Sequence, residues 1–169
     1  MICATSTNTR VLAIDPANRG LGIAIMEGPE RLIDWGVKSV KDNHVPRYLK
    51  KVNYLILQYQ PDIIVAENHK GKGSRRCKRV QHLIEKITDL AAERKIKVRC
   101  FSRADVRRAF SECNATTKHE VATAIAKQLP ELSLQLPPFR KIFMSEDYRM
   151  SIFDAVAFAS TYYYNENHA

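Results

Sequence analysis

No apolar run in this 169-residue chain approaches the ~20 residues that a membrane-spanning helix needs. The opening stretch, MICATSTNTR, lacks the charged n-region and apolar core of a secretory signal. These absences lead us to expect a cytoplasmic protein with no membrane partner. The four cysteines, Cys3, Cys77, Cys100 and Cys113, include no C-x-x-C pair. Neither a zinc knuckle nor a disulfide framework is therefore expected, only reduced thiols. Internal repeats, low-complexity tracts and linkers are also missing. One domain over residues 10–164 is expected, with flexible ends at 1–9 and 165–169.

What is present is an ordinary globular composition, 45% hydrophobic and 27% charged, with a net charge of +9. An excess of that sign favours polyanionic partners, nucleic acid before an anionic membrane surface. RVLAID reads as a strand ending in an acid, PANRG as a turn, and GLGIAIME as a second strand. RLIDWGVKSV alternates as a third, so three antiparallel strands are expected in a meander. Residues 43–59 switch to helical spacing through Tyr48, Val52, Leu55 and Ile56, with Pro46 in the first turn. PDIIVAE is a continuous apolar run of the kind buried in a parallel sheet.

A basic stretch, HKGKGSRRCKR, precedes a long helix with Val80, Leu83, Ile84, Ile87, Leu90 and Ala91 on one face. KIKVRCF supplies a fifth strand. SRADVRRAF is a short helix capped by its serine, and KHEVATAIAKQL is another, closed by Pro130. Residues 130–144 read as loop. The last helix is expected to start at Ser145, with Glu146 and Asp147 in its first turn. The order implies an α/β domain with a mixed sheet and helices on both faces.

Three acids stand where acids are unexpected: Asp15 and Glu67 end apolar strands, and Asp154 interrupts an apolar helix. Each has an ordinary explanation. Asp15 can form a turn, Glu67 can cap a basic helix, and Asp154 can pair with an arginine. Together, however, two strand-end acids and a helical one suggest a shared cluster, because ligand sites in open α/β sheets gather at strand carboxyl ends. Clustered carboxylates repel one another unless a cation joins them. An all-oxygen donor set suits Mg²⁺ or Mn²⁺, and two such ions can serve phosphodiester hydrolysis. No histidine or cysteine set points to zinc, and His69 beside lysines is a phosphate contact or plain surface. On a helix from residue 145, Asp147, Ser151 and Asp154 would share a face, making Asp147 either a fourth ligand or a first-turn acid.

VLAIDPANRGLGIAI resembles the first strand–turn–strand of the RuvC-type Holliday junction resolvases, within the RNase H-like superfamily. PDIIVAE with its basic loop and long helix is similar to the family's second acidic segment, and DAVAFA to its final helix. SRADVRRAFSECNATTKHEVATAIAKQL is similar to the segment between them. The likeness runs over residues 10–164. It implies an RNase H-like fold with a mixed five-stranded sheet, three antiparallel strands followed by parallel ones. It also implies Mg²⁺-dependent cleavage of branched DNA by a homodimer, with Asp15, Glu67 and Asp154 as metal ligands. Lys118 would match a basic residue near the scissile phosphate. The chain departs at Ala17 and Ala24, where the family has glycine, and at Ser151, where it has Asp or His; Asp147 is the substitute ligand.

Lys70, Lys72, Arg75, Arg76, Lys78 and Arg79 fall just after Glu67, where Gly71 and Gly73 let the backbone bend toward a ligand. Arg103, Arg107, Arg108 and Lys118 form a second basic segment. Both are candidate phosphate contacts, which position a substrate without reading its sequence. The tyrosines Tyr48, Tyr54, Tyr59 and Tyr162–Tyr164 are expected in the core or on helix surfaces. Phe101, Phe110 and Phe139 are core candidates, or one of them is a loop wedge at a junction. An RNA-processing nuclease and a non-catalytic nucleic-acid-binding module are the alternative functions. A sugar-kinase or actin-like ATPase needs two such domains and does not fit this length.

Overall fold

Alternation along the first strand decides how the sheet is covered. In the computed structural model, which describes residues 9–70 and 76–169, β1 (Arg10–Ala17) sends Val11 and Ala13 into one core and Leu12 and Ile14 into the other. β2 (Gly20–Glu27) and β3 (Leu32–Lys38) follow as an antiparallel meander. α1 (Val45–Tyr59) leads to β4 (Ile63–Glu67), α2 (Lys78–Glu93) and β5 (Lys97–Phe101). α3 (Arg103–Ala109), α4 (Lys118–Gln128) and α5 (Met150–Asn167) complete the chain.

The sheet order is β3-β2-β1-β4-β5, with β4 parallel to both β1 and β5. The expected mixed five-stranded sheet is therefore present. α1 and α2 cover the face of Leu12, Ile23, Ile25 and Ile64. α3, α4 and α5 cover the face of Val11, Ala13, Ala24 and Val65. β4, covered on both faces, is buried throughout, which explains its unbroken apolar run. No described helix is long and apolar enough to cross a membrane.

α5 lies against the sheet because β2 lacks a side chain where the helix arrives. A Cβ on Gly22 would collide with the main-chain carbonyl of Ser151 and stand 2.7 Å from the Ser151 Cβ. Gly22 thus permits a helix-to-strand approach that any other residue would prevent. Most of α5 is buried, including Phe153, Val156 and Phe158.

The structure corrects several sequence expectations. α5 begins at Met150 rather than Ser145, and no side chain caps it. Asp147 accepts from the Arg149 main-chain N–H at 2.9 Å and from its guanidinium at 2.8 and 3.0 Å, which holds residues 147–149 in a turn before the helix. Residues 130–144 are not all loop, since Pro130–Gln135 form a 3₁₀ turn. β3 and β5 are each shorter than the alternation suggested. Of the two places left open for the C-terminal tyrosines, Tyr162 and Tyr163 take the core, where the Tyr163 hydroxyl donates to the Thr9 carbonyl at 2.7 Å and accepts from Gly28 N–H at 2.9 Å.

α4 starts with a reciprocal cap. The Thr117 hydroxyl accepts from Glu120 N–H at 3.2 Å, and the Glu120 carboxylate accepts from Thr117 N–H at 3.0 Å. The main-chain N–H donors of Thr116 and Thr117 bring the Glu120 carboxyl down to about 2 from an ordinary 4.5. Its contribution is complete above pH 4.5 and is lost as pH falls through about 2. Thr117→Ala should cost about 1 kcal/mol, seen as a drop of roughly 2–4 °C in thermal midpoint. An unchanged midpoint would mean that tertiary packing alone holds the helix start.

Candidate metal site

Strand parity and register bring two of the acids together. Val11, Ala13 and Asp15 alternate onto one face of β1, and Ile63, Val65 and Glu67 do the same on β4. Ala13 pairs with Val65 in the parallel register, so two residues further on Asp15 stands level with Glu67. Both lie at strand carboxyl ends, on the face covered by α5. Asp15 also sits opposite Gly22 in the antiparallel register. Because Ser151 rests on Gly22, the helix delivers Asp154, one turn later, to the same place. All three carboxylates are buried, with Asp15 at 1% exposure and Glu67 and Asp154 at 5% each.

Two arginines stitch the acids to one another. Arg76 donates through Nη2 to Asp15 at 2.6 Å and through Nε to Glu67. Arg103 donates through Nη1 to Asp154 at 2.7 Å, with its Nε 3.4 Å from Glu67. Lys118 bonds Asp154 at 3.0 Å and Glu146 at 2.9 Å. The arginine partner foreseen for Asp154 is therefore Arg103, and it is shared rather than private. Arg103 is also placed by its own surroundings, with its guanidinium 5.1 Å from the centre of the Phe158 ring.

The charges in this cluster do not balance evenly. Burial, then the Asp154 carboxylate, push the Asp15 carboxyl up to about 7, against the opposing pull of Arg76, Arg103 and Lys118. Burial also acts to raise Asp154, but Arg103 and Lys118 outweigh it and hold that carboxyl below the ordinary range. Lys118 would be lowered by burial, yet Asp154 and Glu146 keep it raised. Asp15 is thus a buried carboxyl short of positive charge, even with three basic groups near it.

Among the described residues, no group of three or more Asp, Glu, His or Cys side chains is already arranged around one metal position. The guanidinium of Arg76 bridges Asp15 and Glu67 instead. The donor chemistry nevertheless fits a hard divalent cation. The set is all oxygen, desolvated, drawn from three rigid elements, and includes one carboxyl that burial leaves under-neutralised.

The remaining site expectations divide. Arg76, Arg103 and Lys118 face the acids rather than open solvent. Lys70, Lys78, Arg107 and Arg108 are exposed, and Arg79 is partly so, near the Asn18 carbonyl at 3.4 Å. Lys72, Arg75, Gly71 and Gly73 lie outside the described residues. Asp147 does not share a helical face with Ser151 and Asp154, because the helix starts after it. It does border the same cavity, of about 240 Å³, together with Asp15, Ser151 and Asp154. Its carboxylate is engaged on both oxygens by Arg149, which lowers its pKa. Glu146 was missed as a partner of Lys118. The signal for it was only its place in the acidic pair Glu146-Asp147, which the assumed helix start disguised.

A scan against protein-family models and a search of curated proteins found no match to this chain. Solved structures do match. RuvC of Thermus thermophilus superposes with a TM-score of 0.69 at 19% identity, over 94% of this chain and 96% of that one. RuvC of the same organism in complex with Holliday junction substrate gives 0.68 at 18% identity, over 95% and 96%. The yeast mitochondrial Holliday junction resolvase Ydc2 gives 0.66 at 15% identity, over 96% of this chain and 80% of that one. At such identities the likeness shows the fold, which is the RNase H-like fold shared by these resolvases, as the sequence resemblance implied.

Proposed function

We propose that this chain is a divalent-metal-dependent endonuclease that hydrolyses the phosphodiester backbone of branched DNA, with four-way junctions as its substrate. One observation carries the reading: Asp15, Glu67 and Asp154, far apart in sequence, converge as buried carboxylates at one end of an RNase H-like sheet. A structural neighbour was solved with Holliday junction substrate, which supports the choice of branched DNA.

In this reading Asp15, Glu67 and Asp154 hold Mg²⁺ or Mn²⁺, two ions in the full site. Such ions, when bound, supply Lewis-acid polarisation of the phosphate and a more acidic water. Arg76 competes for the oxygens that a cation would take, so it sets the threshold for ion entry. Arg103 orients Asp154 and Glu67, and Lys118 presents a charge toward the scissile phosphate. Asp147 is left out of the ligand set, because Arg149 already engages it. Exposed Lys70, Lys78 and Arg107, with the partly exposed Arg79, supply salt-dependent phosphate contacts. A junction has two scissile strands, so symmetric cutting requires two copies of the chain.

The test is digestion of four-way DNA, linear duplex DNA, RNA–DNA hybrid and structured RNA, each with Mg²⁺ and with EDTA. The expected result is paired nicking of the four-way DNA with Mg²⁺ alone. Cleavage of structured RNA in preference would assign the site to RNA processing. Tight binding without any cleavage would make the chain a binding module.

A second expectation concerns Arg76, whose side chain is 19% exposed. Arg76→Ala should destabilise the metal-free protein by on the order of 2–3 kcal/mol, less than the ~3–5 kcal/mol of a fully buried pair. Mg²⁺ should then raise its thermal midpoint more than it raises that of the unmodified protein. Equal Mg²⁺ effects in a calorimetric titration would show that Arg76 does not compete with the ion.

A further inference from the structure

Large apolar side chains are exposed on this molecule mainly in one place. Phe139 is 75% exposed, Phe143 84%, Tyr148 58%, and Ile142 fully, and all lie in the segment between the 3₁₀ turn and α5. The segment also carries Arg140 and Lys141, and the Lys141 ammonium lies 5.9 Å from the centre of the Phe143 ring. Exposed aromatics packed among cations are unusual on a surface that serves no ligand.

The segment is anchored at the site. The His119 ring meets Phe139 edge-on, with centroids 5.5 Å apart, and its Nε2 lies 3.2 Å from the Pro137 carbonyl oxygen. His119 directly follows Lys118, which holds Asp154. Between the segment and α4 lies a cavity of about 580 Å³, walled by Arg19, Lys118, His119, Phe139, Arg140 and Tyr148. That volume falls within the range of small-ligand sites, roughly 300–1,000 Å³. The cavity adjoins the acidic cleft, since Arg19, Glu146, Asp147 and Tyr148 line both. The acids in the shared wall are paired, Glu146 with Lys118 and Asp147 with Arg149. Among the described residues, the unpaired charge at the rim is therefore the positive charge of Arg19 and Arg140.

We propose that this cavity receives an unpaired nucleobase of the substrate, stacked against Phe139 and Tyr148 while Arg19 and Arg140 hold its flanking phosphates. Stacking suits any base, because every base has a flat π face, and the cations match the backbone that carries it. The pairing of aromatic faces with Arg19 and Arg140 commits the cavity to a base and its flanking phosphates, and a second copy of the chain, whose interface would also draw on aromatics and arginine, is an outcome of the test. Base pairs at a branch point lose stacking neighbours and open more readily than those of an intact duplex, which brings such bases next to a scissile phosphate. The cavity thus acts as the specificity element of the cleft, admitting branched strands and rejecting paired ones. This inference rests on the endonuclease reading above.

The experiment measures affinity in EDTA for a four-way DNA with unpaired thymines at its crossing point and for a linear duplex of equal length. Phe139→Ala should weaken binding of the branched DNA by about 5- to 150-fold, the range for losing one base–aromatic stack. Duplex binding should not change, and Phe139→Trp should restore the branched affinity. Photo-cross-linking of 5-iodouracil at the unpaired positions should map to Phe139 or Tyr148. Equal loss on both DNAs, no loss on either, or cross-links only to the segment after Glu67 would overturn the assignment. If Phe139→Ala instead turns a dimer into a monomer in sedimentation, the segment is a subunit interface and the proposal fails. Metal-dependent cutting with no Phe139 effect would remove this proposal alone. No preference of the unmodified protein for branched over linear DNA would remove both.

Discussion

Asp15→Asn should abolish cleavage while leaving junction binding and thermal stability intact. Asparagine keeps the shape and one oxygen but cannot supply the charge that a divalent cation needs. Loss of one electrostatic stabiliser at a reacting phosphate costs on the order of 10²–10³ in rate, and a direct metal ligand should reach at least the upper figure. Stability should hold because the carboxyl is already poorly tolerated as an anion, being pushed up to about 7 by burial and by Asp154. A neutral side chain removes that repulsion, and Arg76 retains Glu67 as a partner. Binding should hold because the phosphate contacts proposed above, Lys70, Lys78, Arg79 and Arg107, are left unchanged. The check is a single-turnover cleavage assay beside a binding isotherm in EDTA. Full-rate cleavage by this variant would remove Asp15 from the chemistry.

Gly22→Ala should be nearly as damaging, although Gly22 has no functional group. The added Cβ would meet the Ser151 main chain, which belongs to a helix buried along most of its length and cannot easily yield. Overpacking of this kind typically costs about 1–3 kcal/mol, occasionally more. The larger effect should be on activity, because moving α5 moves Asp154 relative to Asp15 and Glu67. A misplacement of about 1 Å can cost roughly 10²-fold in rate. The expected outcome is a thermal midpoint several degrees lower and cleavage down about a hundredfold at temperatures where the variant is fully folded. Unaltered cleavage would mean that the contact at Gly22 does not set the position of Asp154.

The two strand acids were legible in the sequence because burial on both faces leaves β1 and β4 almost purely apolar. Against that background Asp15 and Glu67 stand out, and alternation with Val11–Ala13 and Ile63–Val65 already commits both to one face. Asp154 was legible for the same reason on α5. The basic residues were harder to place. A lysine- and arginine-rich run reads as a solvated surface, and nothing in HKGKGSRRCKR distinguishes Arg76, which turns inward, from Lys78, which does not. The start of α5 was misread because Ser145-Glu146-Asp147 has the composition of a helix N-terminus. The Asp147–Arg149 pairing instead builds a turn there, a competition between side chain and main chain that spacing does not reveal. The exposed aromatic segment was only half legible for a related reason, since a pattern that ignores tertiary cover leaves Phe139 open as core or as loop wedge beside the buried Phe101 and Phe110.

Manganese paramagnetic resonance addresses the convergence of the three acids without reference to substrate or turnover. Titrating Mn²⁺ into the full-length protein should quench the free-ion signal in proportion to protein added, and Asp154→Asn should restore most of that signal. If the unmodified chain and the variant leave the free-ion signal equally intact, the carboxylates of β1, β4 and α5 hold no cation and belong to an arginine-paired structural core.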